Sequence, residues 1–453
     1  MSESLTNESP KPEAYDAAIF PAFEEIAAFQ AFDYLGGNKD FRNEQKAKFL
    51  AGELSNPTLD YPKLNLEGIT ANEKSLLEMK SAILSGESNE VMKQAYRWRI
   101  NEKIAEIRLL KAAANGDMRR FARYNSFIYG EPSREVFAYT LNGIRAKAET
   151  ALSSTNPALA RSAQELLKVL PKTDDPGFFE LPEDELIGHV LNHTLEELGD
   201  LIEVDEGKEK YDAEEIVAEF SKALEKMDNE DWTVQIDENA TNVSAVRRTQ
   251  KVNVPPDKSV DEKGMKSLKL EEIATHVARA INGKRSKLML LSLGLDRYDA
   301  GEEGVGSLRG QAMDEGVEDF SGLSGHLAVS LAAGLDGQPK DFRQVFEIME
   351  KYFAFDNMTA GKSDIEAQTK AKNMAWARCV RTFRGSDCAT PGACFMKDIV
   401  YREGNIGVWE LMRQKPDEML RFNIGKYDPT NPRHIWVLEQ LGISDEDLAE
   451  LEK

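Results

Sequence analysis

Apolar positions recur at helical spacing through most of the chain and alternate in one region only. The clearest helix is predicted over Asn89 to Asn115. Ala95, Ile100, Ile104, Ile107, Leu110 and Ala113 share one face there, charges fill the rest, and Asn115-Gly116 is a good stop. Further helices are predicted from about Met118 to Ile128 and from Pro132 to Ala151. This half, from about Ala14 to Ser153, reads as a scaffold or lid with exposed charges and no evident chemistry. Pro171 to Pro182 is rich in turn formers and reads as a linker, with helices expected after it over Glu183–Leu201 and Ala213–Met227.

The β signal follows. Trp232 to Ile236 (WTVQI) alternates, and Val243 to Val254 (VSAVRRTQKVNV) reads as a strand pair or as one long bent strand ending at Pro255-Pro256. A helix over Leu268–Ile281 is expected to stop at Asn282-Gly283. The remainder reads as helix broken by glycine-rich loops at Gly301–Gly306, Gly334–Pro339 and Gly385–Gly392. The expected fold class is α+β, mostly helical, with a small sheet preceding the helix at Leu268. The expected division is a disordered tail (1–12), a helical N-terminal region (13–170) and a chemistry-bearing region (171–453).

Composition narrows the function classes. The 453 residues carry a formal charge of −22, which disfavours nucleic acid and anionic membrane surfaces as partners, since both are met by clustered Lys and Arg. The first residues are polar and acidic rather than a basic segment followed by an apolar one, so no secretory signal is expected. The longest apolar stretch, Leu288 to Leu295, is far short of the roughly 20 residues of a membrane span. Three cysteines (Cys379, Cys388, Cys394) suit a reducing compartment, and a cytoplasmic protein is expected. With only five histidines, any metal site must draw on carboxylates.

The most informative stretch is Leu268 to Gly283, LKLEEIATHVARAING, with Glu271, Glu272 and His276 on one predicted helix. Two ligands and an adjacent Glu on a helix are the parts of metal-assisted hydrolysis. Positions 271 and 276 lie five apart, about 140° around an ideal α-helix, so convergence on one ion would need a local widening such as a π-bulge. The plainer reading is a surface helix with two solvated glutamates. His189 and His193, four apart, could share a helix face, but no third ligand is apparent, and packing histidines are the simpler reading. The cysteines lack metal-site spacing and read as free thiols near the cleft. No phosphate-binding glycine loop, dinucleotide fingerprint or nucleophile elbow is present.

The stretch EEIATHVARAING resembles the HEIGTHVLR-type helix of the QEGLA-motif (flavohemoglobin expression-modulating) family, which is related to the microtubule-associated tyrosine carboxypeptidase. Three further blocks are similar and fall in the same order: the strand pair Val243–Pro256, the GEEGVG segment at Gly301–Gly306, and the FMKDIVYREG segment at Phe395–Gly404. Arg97 to Pro132 also resembles the family's helical region. The resemblance implies a zinc carboxypeptidase acting on a peptide or protein C terminus, with tyrosine as the residue removed. By the same resemblance His276 is a metal ligand, Glu272 the general base, and Glu303 the third ligand, with Glu302 as the alternative.

Position 271 departs from the family pattern, which has His where this chain has Glu271. A Glu271/His276/Glu303 set is chemically possible for zinc, but it neutralises a divalent ion, makes it a weaker Lewis acid and shifts preference toward manganese. The family's loop alanine is also replaced, by Gly306. A retuned metallohydrolase, a metal binder of little activity, and a pseudoenzyme that binds or regulates all stay open. A carboxypeptidase further needs a cation for the terminal carboxylate. Arg247 and Arg248 on the strand before the motif, Arg384 and Lys397 are candidates, and Tyr401 is a candidate oxyanion donor. Lys397-Asp398 alternatively reads as an ion pair.

Overall fold

The alternating region forms the sheet that carries the motif helix on its back. β1 (Thr233–Ile236) runs parallel to β3 (Lys251–Val254), and β2 (Ser244–Val246) pairs antiparallel on the other side of β3. Thr233 faces Lys251 and Ser244 faces Asn253 across the two ladders. Residues 243–254 are therefore a strand pair. Arg247–Thr249 between the strands forms a 3-10 turn, closed by Gln250 at a left-handed φ of 49°, so Arg247 and Arg248 sit on this turn and not on a strand as expected. The pleat sends Val252 and Val254 inward against Phe220, Met265, Ile273 and Val277.

The computed structural model describes residues 13–59, 66–205, 207–229, 231–238, 240 and 242–443; the expected tail at 1–12 lies outside them. About 66% of the chain is helical, around this one small sheet, so the fold is α+β and mostly helical. The longest helix, Glu90–Ala114, starts where the Asn89 side chain accepts from the Val91 and Met92 amides, and ends one residue before the left-handed turn that Gly116 makes. Its apolar face packs Tyr96, Ile100, Ile104 and Leu110 against Phe20 and Phe23, against Leu288–Leu295 and against Tyr427, Val437 and Leu438. One core thus joins the start, middle and end of the described chain.

The charges on this helix are not all solvated, contrary to the sequence reading. Arg99, Glu102, Lys103 and Glu106 are each at most 4% exposed. They tolerate burial by pairing, Arg99 with Glu102 at 2.5 Å and Lys103 with Glu106 at 2.8 Å. They also bind backbone: Arg99 donates to the Leu293 carbonyl (2.8 Å) and Lys103 to that of Phe29. Glu106 accepts from the Ala31 amide (2.6 Å) and Glu102 from that of Arg297 (3.1 Å). A buried polar lattice therefore pins segments 29–31 and 293–297, which flank the cleft described below.

Two glycine readings are corrected. Residues 301–306 are not a loop but lie inside the helix Asp299–Met313. Gly301 and Gly304 serve close packing there: a Cβ on Gly304 would meet the Gly404 carbonyl at 2.5 Å, and one on Gly301 the Asp428 Cα at 2.3 Å. Likewise Gly283 does not end its helix, which runs on to Arg285; the missing side chain admits the Leu291 backbone, 2.4 Å from where a Cβ would stand. The cysteines are free and buried, and belong to an aromatic cluster with Phe342, Trp376 and Phe383. None of them is among the residues lining the cleft.

Candidate active site

The motif tract begins as α-helix at Glu262–Leu268, where Asp261 caps the Gly264 amide at 2.8 Å, and resumes as α-helix at Ala278–Arg285. Between them, Lys269–Val277 is π-helix. Bonding from i to i+5 widens the turn, so residues five apart stack on one face. Glu271 and His276, which an α-helix would hold about 140° apart, thereby both line one cleft of about 720 Å³ with Glu272, Glu303, Lys397 and Tyr401.

Glu272 is 8% exposed and accepts a hydrogen bond from the Ala245 amide of edge strand β2 at 3.1 Å. The sheet therefore sets this carboxyl. Burial is the main force raising its pKa; His276 and the Ala245 amide pull back, while Glu271 and Glu303 add to the rise, and the result is about 7. His276 is held by Nδ1, 2.9 Å from Glu302 Oε1. Burial opposes its charge, but the Glu302 bond and the charges of Glu302, Glu303 and Glu272 raise its pKa to about 9, so the ring is protonated at neutral pH.

Glu302 is turned away from the cleft's chemistry and into support. It also binds Arg279 Nη1 at 2.7 Å and the ammonium of Lys426, and Arg279 is anchored on the carbonyls of Gly425 and Tyr427 at 2.9 Å each. Burial would raise the Glu302 pKa, but Lys426, Arg279 and His276 hold it well below the usual carboxylate range. Glu303, one residue on, has no such partners. Burial raises its pKa, only partly offset by His276 and Lys397. Glu271 borders the same cleft and is exposed.

The basic residues divide by commitment. Arg247 donates to the Leu293 carbonyl (2.5 Å) and the Tyr298 hydroxyl (2.8 Å), which fastens it to the wall. Arg248 stands 5.9 Å from the Tyr34 ring. Lys397 and Asp398 do not pair with each other: Lys397 meets Asp299 at 3.2 Å, while Asp398 takes Arg378 and Arg381, each at 2.7 Å. Tyr401 keeps its proton, first because Glu303 is close and then because it is buried. Arg384 lines the cleft with Arg378 and Arg381.

The decisive segment is the one that carries the sheet, the π-helix and the Glu302-Glu303 pair. Residues 178–311 match the family model for microtubule-associated tyrosine carboxypeptidase. The chain is similar to these carboxypeptidases over that segment, which stops short of Arg378, Lys397 and Tyr401. No curated protein and no solved structure matches the chain. No helix among the described residues is long and apolar enough to cross a membrane.

The divalent ion that the motif resemblance leads one to expect suits the donors in kind. Two carboxylates and an imidazole are acceptable to zinc or manganese, and an Nδ1 fixed on a carboxylate leaves Nε2 as the nitrogen of a metal-binding His. The donors are not gathered, however. Among the described residues no three His, Cys, Asp or Glu side chains form a group able to hold an ion.

Sequence reasoning passed over Tyr298, Lys426, Arg378 and Arg381. The first two have no periodic or motif signal. Arg378, Arg381 and Arg384 do, since they recur every third residue at the end of the helix Asp364–Thr382 and just beyond it. Of the other histidines considered, His189 is exposed, and His193 lies 3.7 Å from Glu197. Neither lines the cleft.

Proposed function

We propose that this cleft acts as a carboxypeptidase, removing the last residue of a peptide or protein, with Glu272 as the group that moves the proton. The carrying observation is Glu272 itself: a carboxyl on the cleft wall, fixed by β2, whose pKa of about 7 lets it both take and return a proton near neutral pH. In this reading Glu272 takes the proton of the attacking water and passes it to the leaving amine. Tyr401, kept protonated, donates to the oxygen that gains negative charge. Lys397 stays charged because Asp299, paired with it at 3.2 Å, outweighs its burial, and its field favours the same oxygen. A preference for tyrosine rests on the family's name.

Glu271, His276 and Glu303 are the residues that would hold zinc, or manganese, and such an ion would supply Lewis-acid polarisation of the scissile carbonyl. Its binding must displace the proton of His276, so uptake should weaken as pH falls. The exposure of Glu271 and the ungathered donors favour a second reading, a protein that binds peptide ends without cutting them. Metal analysis paired with an assay on a peptide ending in tyrosine separates the two. Turnover that Glu272→Gln abolishes supports the enzyme. Absence of both metal and turnover, with Glu271→His restoring both, supports the binder.

A further inference from the structure

The cleft contains a second constellation, built on Asp398. This carboxylate is 5% exposed and receives Arg381 through both Nε (3.0 Å) and Nη2 (2.7 Å), and Arg378 through Nη1 (2.7 Å). Arg384 adds its positive charge at the same carboxylate. The two guanidiniums held on this one carboxylate leave net positive charge on this wall. Arg378 and Arg381 both line the cleft and keep 23% and 43% of their side-chain surface exposed. Asp398 thus fixes the two guanidiniums without using all their nitrogens.

The surroundings fit an anion of small size. Tyr401 stands between the two halves of the site, close to Glu303 and with its ring 5.9 Å from the Arg381 guanidinium. Gly322 and Gly325 let the facing segment approach closely: a Cβ on Gly322 would stand 2.7 Å from Tyr401 Cβ, and one on Gly325 3.1 Å from Arg378 Nη1. The helix that starts there, Leu323–Ala333, has no side-chain cap, which adds a field of the same sign to that of the arginines. Of the other cations on the cleft, Arg247 is committed to Leu293 and Tyr298, Lys397 to Asp299 and Lys426 to Glu302.

We propose that Arg378 and Arg381, set as a pair by Asp398, bind the α-carboxylate of the peptide and so select a free C terminus. The assignment rests on the peptide-end reading of the cleft. It names a fork of planar donors, the geometry that grips a carboxylate through two parallel hydrogen bonds and that a single ammonium cannot reproduce. An acidic side chain within a peptide offers the same chemistry, and the test distinguishes the two sources.

Binding is measured on the full chain carrying Glu272→Gln, so that bound peptide is not consumed. The probes are a fluorescent decapeptide ending in tyrosine as the free acid and the same peptide as its C-terminal amide. The acid should bind about 10- to 100-fold more tightly than the amide, the worth of one charge-assisted pair. Adding Arg381→Gln should bring the acid down to the level of the amide and leave the amide unchanged. Arg378→Lys, which keeps a charge for Asp398 and hence the fold, should lose most of the preference as well. Equal binding of acid and amide, binding of neither, or a preference that survives both substitutions would overturn the assignment. Turnover by the unsubstituted chain scores the peptidase reading separately. Acid preference without turnover leaves the arginine pair standing and removes that reading; turnover with the preference intact in both variants does the reverse.

Discussion

Glu272 has an ordinary pKa of 4.5 and one of about 7 in the folded chain. Between those values the folded state holds the proton more tightly, so its contribution favours folding at low pH. That contribution is lost as pH rises through about 7, at a cost of about 3 kcal/mol. Glu272→Gln removes the titration while the amide oxygen still accepts from Ala245. Urea unfolding at pH 5 and pH 8 should therefore show the variant gaining on the parent by about 2–3 kcal/mol at the higher pH; parallel behaviour would refute the burial argument. At the same scale, burial pushes the thiols of Cys388 and Cys394 up to about 12. All three cysteines should ignore a thiol reagent at pH 8 until the chain is unfolded.

The element that decides the site is the π-helix, and sequence spacing carried a hint of it. The five-residue separation of Glu271 and His276 makes sense on one face only if the helix widens, and Lys269–Val277 is widened. The glycines were legible as residues but not as packing. GEEGVG reads as a loop because glycine lowers helix propensity, and only the partner helix explains it. Ile399–Gln414 crosses the Glu303 helix so closely that a Cβ on Gly404 would stand 2.0 Å from the Ala300 carbonyl. Gly404→Ala should force the two helices apart, costing about 1–3 kcal/mol in denaturant unfolding and lowering activity through Glu303. An unchanged midpoint would show that the contact yields.

Over the whole molecule, periodicity exposed the helices and the sheet but not how distant segments meet. The Glu302 side chain illustrates why: its role depends on His276 and Arg279 from one helical tract and on Lys426 from a distant part of the chain. The buried lattice of Arg99, Glu102, Lys103 and Glu106 was equally hidden, because paired charges follow no period. Core residues between Phe20 and Leu35 and between Ile69 and Ile128 share one cluster with those of 288–295 and 424–443. A fragment of residues 171–453 should accordingly fail to unfold cooperatively in calorimetry, whereas a sharp independent transition would show that the shared core is dispensable.

The central claim is that this cleft cuts at a peptide's C terminus through Glu272. Mass spectrometry of a tyrosine-ended peptide, incubated with the purified chain and zinc or manganese, tests it most directly. The account predicts a product lighter by one tyrosine, formed by the parent chain and reduced about 100-fold or more by Glu272→Gln. A peptide left intact by the parent with either ion, or trimmed equally well by the variant, would contradict it.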